Sequence, residues 1–283
     1  MRRTRPFLKW AGGKQALAET LIRQFPKEFR RYFEPFLGGG SVFFTLRPRP
    51  ALLSDVNSWL INTYQAVRDD WQRVAALLNT MENTRASYLE YRKLPPSKMD
   101  TWHRAAHLIY LNKTCFRGLF RVNKRGEFNV PYGEYQRRYY NPANLTEVSA
   151  LLDTAELRCC DYQESLKEAE KGDFAYLDPP YHKMGGYSDF NRYTADKFRE
   201  QDHVRLADFC KELDSRGIKW AQSNSNSEFV RSLYGDYRQI MFRSRREINL
   251  NSQDRDIKEL LIVNYDPPLE AICLPGEQLP LQI

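Results

Sequence analysis

Residues 178–181 read Asp-Pro-Pro-Tyr and follow the apolar run Phe174-Ala175-Tyr176-Leu177. Such a run reads as a buried strand, and two prolines end it and stiffen the turn that follows. A carboxylate and an aromatic ring are thereby held at the carboxyl end of a strand, the edge at which open α/β sheets bind ligands. The pair suits attack by an exocyclic amine. The amino group of a nucleobase is a poor nucleophile, because its lone pair is delocalised into the ring. Asp178 and the Pro179 carbonyl can accept its two hydrogens and draw the nitrogen towards a pyramidal geometry. Pro180 brings no N–H into the corner, and Tyr181 can stack on a base taken out of its helix. Asp-Pro alone would mark only a loop. Four such residues in this order at a strand end are much more specific.

The elements that must position this corner can be read upstream. Tyr32-Phe33-Glu34-Pro35-Phe36 runs into Leu37-Gly38-Gly39-Gly40, and a helix follows from Ser41 to Leu46. Strand, glycine loop and helix are the opening of a nucleotide-binding βαβ unit. Phe43 or Phe44 stands near the place of the third glycine of the dinucleotide pattern, which argues against a pyrophosphate cofactor and suits S-adenosylmethionine. The next strand, Ala51–Ser54, ends at Asp55, where an acid is expected on a ribose hydroxyl pair. Capping of the following helix is an equally open role for Asp55. Leu157–Cys160 reads as a further strand ending at Asp161-Tyr162, where an acid can meet an adenine amino group, and Glu164–Glu170 reads as a short helix. Gly12-Gly13-Lys14 invites a phosphate-loop reading. It fails, because Leu8 stands where glycine is required and Gln15 replaces Ser or Thr. What remains is either a tight turn that lets backbone approach a ligand, with Trp10 and Lys14 projecting beside it, or a plain N-terminal turn before a helix over 15–24.

Between these halves the pattern changes. Helical stretches at 58–67, 71–78, 86–94 and 101–111, broken by Pro95-Pro96, show no parallel-strand alternation. Lys113 to Arg138 carries seven basic residues, Lys113, Arg117, Arg121, Lys124, Arg125, Arg137 and Arg138, against Glu127 and Glu134. Aromatics interleave at Phe116, Phe120, Phe128, Tyr132 and Tyr135. Asn123–Phe128 reads as a hairpin tip suited to phosphate contacts and base readout, or else as a solvated charged turn over a helical core. The residues from His182 to Ala195 form a candidate lid. A helix over 198–216 and strands at 218–222, 237–242 and 260–265 complete the sheet, and Arg243, Arg245 and Arg246 form a second basic patch.

The net charge of +7 fits a polyanionic partner. No apolar signal segment follows the basic start and no run approaches membrane-span length, so a cytoplasmic protein is expected. The five cysteines show no paired spacing and read as reduced thiols. His103 and His107 lie four apart, but Arg104 stands where a zinc-protease motif needs Glu, so no metal is expected.

Taken together, Phe-Leu-Lys-Trp-Ala-Gly-Gly-Lys (7–14), Glu-Pro-Phe-Leu-Gly-Gly-Gly-Ser-Val-Phe (34–43), residues 111–123, residues 125–133 and Asp178–Tyr181 resemble Dam-type DNA adenine-N6 methyltransferases. The likeness runs from Phe7 to about Tyr265. It implies an α/β, Rossmann-like S-adenosylmethionine-dependent methyltransferase sheet with an inserted, mainly helical DNA-recognition domain carrying a β-hairpin. The expected division is a catalytic domain at 1–56 and 156–270, a target-recognition domain at 57–155 and a tail at 271–283. Asp178, Pro179, Pro180 and Tyr181 are then catalytic. Trp10, Lys14, Phe36, Gly38, Gly40, Asp55, Asp161, Tyr162 and Asp178 surround S-adenosylmethionine. Lys9, Phe116, Arg117, Leu119, Arg121, Asn123, Lys124, Pro131 and Arg137 meet double-stranded DNA.

Family members often carry Asn where this chain has Arg117. The expected target is GATC, with a longer site such as GATATC as the alternative. A methyltransferase of RNA or of a protein amide, and a catalytically silent DNA-binding module, are the other readings. Protein-amide enzymes usually carry Asn in place of Asp178, and the intact corner argues against silence. A monomer or weak dimer associated with the nucleoid is expected, and solitary action and restriction-modification are both open.

Overall fold

The computed structural model describes residues 4–123, 125–182, 198–245 and 256–268, with backbone alone at 243–245 and 256–258. Lys124, the expected lid from 183 to 195, Arg246 and the tail 271–283 lie outside the described residues, as do the side chains of Arg243 and Arg245.

Among these residues β1 (Tyr32–Glu34), β2 (Ala51–Ser54), β3 (Ala155–Arg158), β4 (Phe174–Leu177), β5 (Lys219–Ser225), β6 (Arg238–Arg245) and β7 (Asp256–Val263) form one sheet of order β3-β2-β1-β4-β5-β7-β6. The first five strands are parallel, and β7 runs antiparallel between β5 and β6. The order is consistent with an S-adenosylmethionine-dependent methyltransferase fold.

β1, β2 and β4 are almost wholly apolar up to their carboxyl ends because both faces of the sheet are covered. Side chains alternate between the two sides. Tyr32, Leu53, Phe174 and Tyr176 share one core with Tyr64, Val67, Leu108 and Leu145, whereas Phe33, Leu52, Ala175 and Leu177 share another with Leu206, Phe209 and Leu213. Each large apolar side chain buried this way contributes about 1.5–3 kcal/mol, so the sheet's register is strongly fixed.

Helices cover both faces. α1 (Ala18–Ile22) and α2 (Ser41–Leu46) flank β1, while α3 (Ser58–Asn79), α4 (Arg85–Lys93), α5 (Thr101–Thr114) and α6 (Pro142–Leu152) lie in the chain between β2 and β3. α7 (Tyr162–Ser165), α8 (Glu200–Ser215) and α9 (Glu228–Leu233) belong to the second half. The two helices expected at 58–67 and 71–78 are the halves of α3. Asp70 leaves helical geometry at φ −160° and its Oδ1 accepts from Arg73 N at 2.9 Å, capping the second half. α4 ends before Pro95-Pro96, which cannot continue a helix.

Three other boundaries move for local reasons. α1 is shorter than 15–24, because Lys14 and Leu17 close a turn first, Leu17 N donating to Lys14 O at 2.9 Å. α7 starts at Tyr162 because Asp161 caps it, accepting from Gln163 N at 3.0 Å. β7 begins at Asp256, ahead of the expected 260, since its pairing with β6 carries it further. None of the described helices is long and apolar enough to cross a membrane. His107 is buried and hydrogen-bonded through Nε2 to Tyr91 O at 2.7 Å, and burial pushes its pKa down to about 4, which makes it a packing residue.

Candidate active site

Strand order reverses direction between β1 and β4: the chain leaves β1 towards β2 and leaves β4 towards β5. The crevice beyond the carboxyl ends of two such strands is the natural ligand site of an open α/β sheet. Glu34 and the glycine loop leave β1 there, and Asp178–Tyr181 leaves β4.

Lys14 reaches this crevice from the N-terminal turn. Gly13 N donates to Trp10 O at 3.0 Å, and a Cβ at Gly13 would stand 3.0 Å from that same oxygen, so glycine lets the turn close. The Lys14 ammonium is 5% exposed and lies 2.8 Å from Asp178 Oδ1. It also donates to Gly12 O at 2.6 Å and sits 4.6 Å from the centroid of the Tyr181 ring. The Tyr181 hydroxyl donates to Glu259 Oε2 at 2.7 Å.

Burial pushes the Asp178 carboxyl up to about 6, Lys14 pulls it back, and Glu259 adds a further upward push. Burial first, then the carboxylates around it, hold the Tyr181 phenol well above its ordinary range, so it stays a donor. Behind them Glu34 is buried and accepts from Tyr32 OH at 2.8 Å. Its carboxyl is pushed up to about 8, mainly by burial, and is largely protonated at neutral pH.

The glycine loop is held from two sides. Gly38 N donates to Asp55 Oδ2 at 3.1 Å, and Gly38 O accepts from Tyr64 OH at 2.9 Å. Gly38 has φ +47°, and a Cβ there would stand 2.9 Å from Trp10 Cδ1. Left-handed backbone and this contact together require glycine. Asp55 Oδ1 also accepts from Asn57 N at 2.9 Å, so Asp55 fixes both the loop and the approach to α3. Burial pushes its carboxyl up to about 6 against those two donors. Phe36 stacks on Tyr162 at 5.5 Å, which joins the ends of β1 and β3. Asp161 caps α7 and lies 3.4 Å from an Arg205 nitrogen.

The basic stretch is organised differently. Cys115–Tyr132 and Val122–Phe128 are isolated antiparallel bridges, with Asn123 N donating to Glu127 O at 2.9 Å. Asn123 Oδ1 accepts from Arg125 N and Glu127 N, at 2.8 and 3.1 Å, so its side chain builds the turn. Arg121 is held by Asn129, Nε donating to Oδ1 at 2.8 Å. Arg117 has φ +59° and its N–H donates to Tyr135 OH at 3.2 Å. Phe116 is 44% exposed and Pro131 is exposed, whereas Leu119 and Phe120 point into the core. Arg137 is exposed, its guanidinium 4.0 Å from the Tyr135 ring centroid.

Two contacts tie this stretch to the crevice. Trp10 stacks on Phe120 at 4.8 Å, and exposed Lys9 lies along Gly118, whose added Cβ would stand 2.9 Å from Lys9 Cδ. Asn112 fixes the Lys9 backbone by donating to its carbonyl at 2.7 Å and accepting from its N–H at 2.9 Å.

Glu34 and Glu259 were not singled out from the sequence. An acid ending an apolar strand was the available signal for Glu34, and Glu-Leu-Leu entering β7 for Glu259.

The sequence is similar to those of known proteins. Residues 10–248 match the family model described as D12 class N6 adenine-specific DNA methyltransferase. The chain is 37% identical over 271 residues to the Type II methyltransferase M1.LlaDCHI of Lactococcus lactis subsp. cremoris, covering 92% of this chain and 95% of that one. It is 36% identical over 286 residues to the Type II methyltransferase M.MjaIII of Methanocaldococcus jannaschii, covering 92% and 99%. It is 33% identical over 271 residues to the DNA adenine methylase of Escherichia coli K12, covering 94% and 97%.

Proposed function

The chain belongs to the D12 class of N6 adenine-specific DNA methyltransferases, and from that premise we propose that it methylates N6 of an adenine flipped out of duplex DNA within GATC. The observation that carries the reading is the cluster of buried Lys14 with half-buried Asp178 and Tyr181 at the switch point of the sheet.

Asp178 and the Pro179 carbonyl accept the two N6 hydrogens, which localises the lone pair on nitrogen. Tyr181 stacks on the base and pays part of the cost of unstacking it. S-adenosylmethionine, the methyl donor general to such enzymes, supplies an activated methyl group on a sulfonium. The donor set fits it: Asp55 for the ribose hydroxyls, an aromatic pair at Phe36 and Tyr162 beside Asp161 for the adenine, and Trp10 with Lys14 closing the glycine loop of Gly38 and Gly40. None of these groups is arranged as a phosphate cradle.

Arg121, its guanidinium oriented by Asn129, reads a guanine through O6 and N7. Pro131 offers an exposed apolar surface to a thymine methyl, with Leu119 supporting the loop from inside. Lys9, set beside Gly118, reaches a second guanine edge. Phe116 and Arg117 meet the duplex and exposed Arg137 meets a phosphate, while Asn123 contributes through the turn it builds.

A longer site such as GATATC is the second reading. It is favoured by Arg117, which carries an extra guanidinium on a strained left-handed backbone next to exposed Phe116.

The test is transfer of tritiated methyl to methyl-free duplexes altered one base at a time, with RNA and protein as controls. GATC duplexes should be labelled at adenine N6 and every single-base variant should lose label. Labelling of GATATC without GATC moves the target to the longer site. Labelling of RNA or protein alone overturns the reading.

A further inference from the structure

Tyr181 follows two prolines and has no ladder of its own, so its placement must come from neighbours. Two of those neighbours lie on adjacent strands. On β5, Asn224 Oδ1 accepts from His182 N at 3.3 Å, and Ser225 Oγ donates to His182 O at 2.8 Å, which clamps the backbone just after the ring. On β7, Glu259 is 8% exposed and accepts from the ring's hydroxyl. Ser225 and Glu259 face each other in the antiparallel register of β5 and β7. The phenol is thus fixed at its backbone by one strand and at its far end by the next.

A nearly buried carboxylate costs several kcal/mol unless it is well bonded, and packing alone would be met by an apolar residue at this place. We propose that Glu259 is a positioning residue of the reaction, setting the plane of the Tyr181 ring on which the target adenine stacks. The inference rests on the function proposed above, in which Tyr181 is that stacking ring. The ring's orientation also bears on Asp178, because one ammonium, that of Lys14, lies against both. Glu259 touches neither base nor cofactor in this scheme and acts on the ring through its hydrogen bond with the Tyr181 hydroxyl.

A positioning role differs from a structural one in what it does to kcat and KM. The experiment is steady-state and single-turnover methylation of a duplex substrate by the full-length enzyme and four variants: Glu259→Ala, Glu259→Gln, Tyr181→Phe and the double variant Glu259→Ala/Tyr181→Phe. Wild type must first yield N6-methyladenine; if it does not, the function proposed above falls, and this inference with it. Given that product, Glu259→Ala should lower kcat at least about tenfold and leave the KM for cofactor within about twofold, because ring orientation enters after cofactor binding. Gln keeps an acceptor for the hydroxyl and should restore most of kcat. In the Tyr181→Phe background, where the hydrogen bond is already gone, Glu259→Ala should add less than about a twofold loss.

The inference is overturned if Gln is as damaging as Ala, or if Ala costs the same with Phe at 181 as with Tyr. Should the alanine variants fail to fold, Tyr181→Phe alone decides. It removes the same hydrogen bond and should show the same loss in kcat, and wild-type turnover would overturn the proposal.

Discussion

Around Asp178 the charged side chains are largely withdrawn from solvent and paired over short distances, Lys14 coming from the N-terminal turn, Asp178 from the segment that leaves β4 and Glu259 from β7. Along residues 115–132 the chain carries two isolated bridges, Phe116 and Arg125 are exposed, and Arg117 and Arg121 are half-buried at the surface. The difference fits the two tasks proposed above. Hydrogen-bond acceptors aimed at a reacting nitrogen act most strongly in a dry, fixed setting, where no reorganisation is needed during reaction. A surface that meets a polyanion must stay hydrated until contact, since much of its binding energy comes from released counterions. Mutations in the first region should therefore change rate at constant affinity, and mutations in the second should change affinity or selectivity.

The largest effect expected is that of Asp178→Ala. Transfer should fall by about a thousandfold or more, equivalent to about 4 kcal/mol of barrier, while duplex affinity stays near wild type. Single-turnover transfer and a binding titration check both halves. A variant keeping more than about a tenth of the wild-type rate would break the comparison at its strongest point, since that is only about 1.4 kcal/mol.

Arg121→Ala comes next and belongs to the other region. It should cost about 1–3 kcal/mol on the cognate duplex and relax selection at one base pair. Equal weakening on all duplexes would make Arg121 a phosphate anchor.

The third expectation concerns pH. Asp178 must be ionised to accept from the amine, and its carboxyl is pushed up to about 6. At saturating cofactor, kcat should fall about tenfold per pH unit below that value. Lys14 is what holds the carboxyl down, so Lys14→Met should move the acid limb to higher pH. An unmoved limb would mean that the ion pair does not control the titration.

The smallest effect is that of exposed Arg137→Ala. It should lower the slope of log affinity against log salt by about 0.9 if one phosphate contact is lost, with transfer at saturating DNA unchanged.

What was legible in the sequence was local. Asp178–Tyr181 could be read because prolines mark a strand end by themselves, and the glycine loop because a tight turn between an apolar strand and a helix has few other solutions. Asp55 could be placed at the end of β2 from that frame, with its role open, whereas Trp10 was assigned a role only through the family resemblance. Glu259 was not legible, because its position against Tyr181 depends on the register of an antiparallel pair and on strand β7 starting at Asp256, ahead of Leu260. Leu119 illustrates the opposite difficulty. An apolar residue in a basic loop fits a thymine methyl equally well on paper, and only the packing shows that it turns inwards. Asn123 lies on the turn as expected, but its side chain is spent on the turn's own N–H groups.

Trp10 stands between the two regions. One part of its indole lies against Gly38 and another is stacked on Phe120. A ligand that shifts the glycine loop is therefore expected to shift the contact with the stretch that holds Phe120, and the reverse. Linkage then fixes a quantity that no single binding curve reveals: the factor by which duplex alters cofactor affinity equals the factor by which cofactor alters duplex affinity. The indole is also one of five indole fluorophores in the chain, so the difference in emission between wild type and Trp10→Phe, followed in two titrations run in opposite order, closes the thermodynamic square.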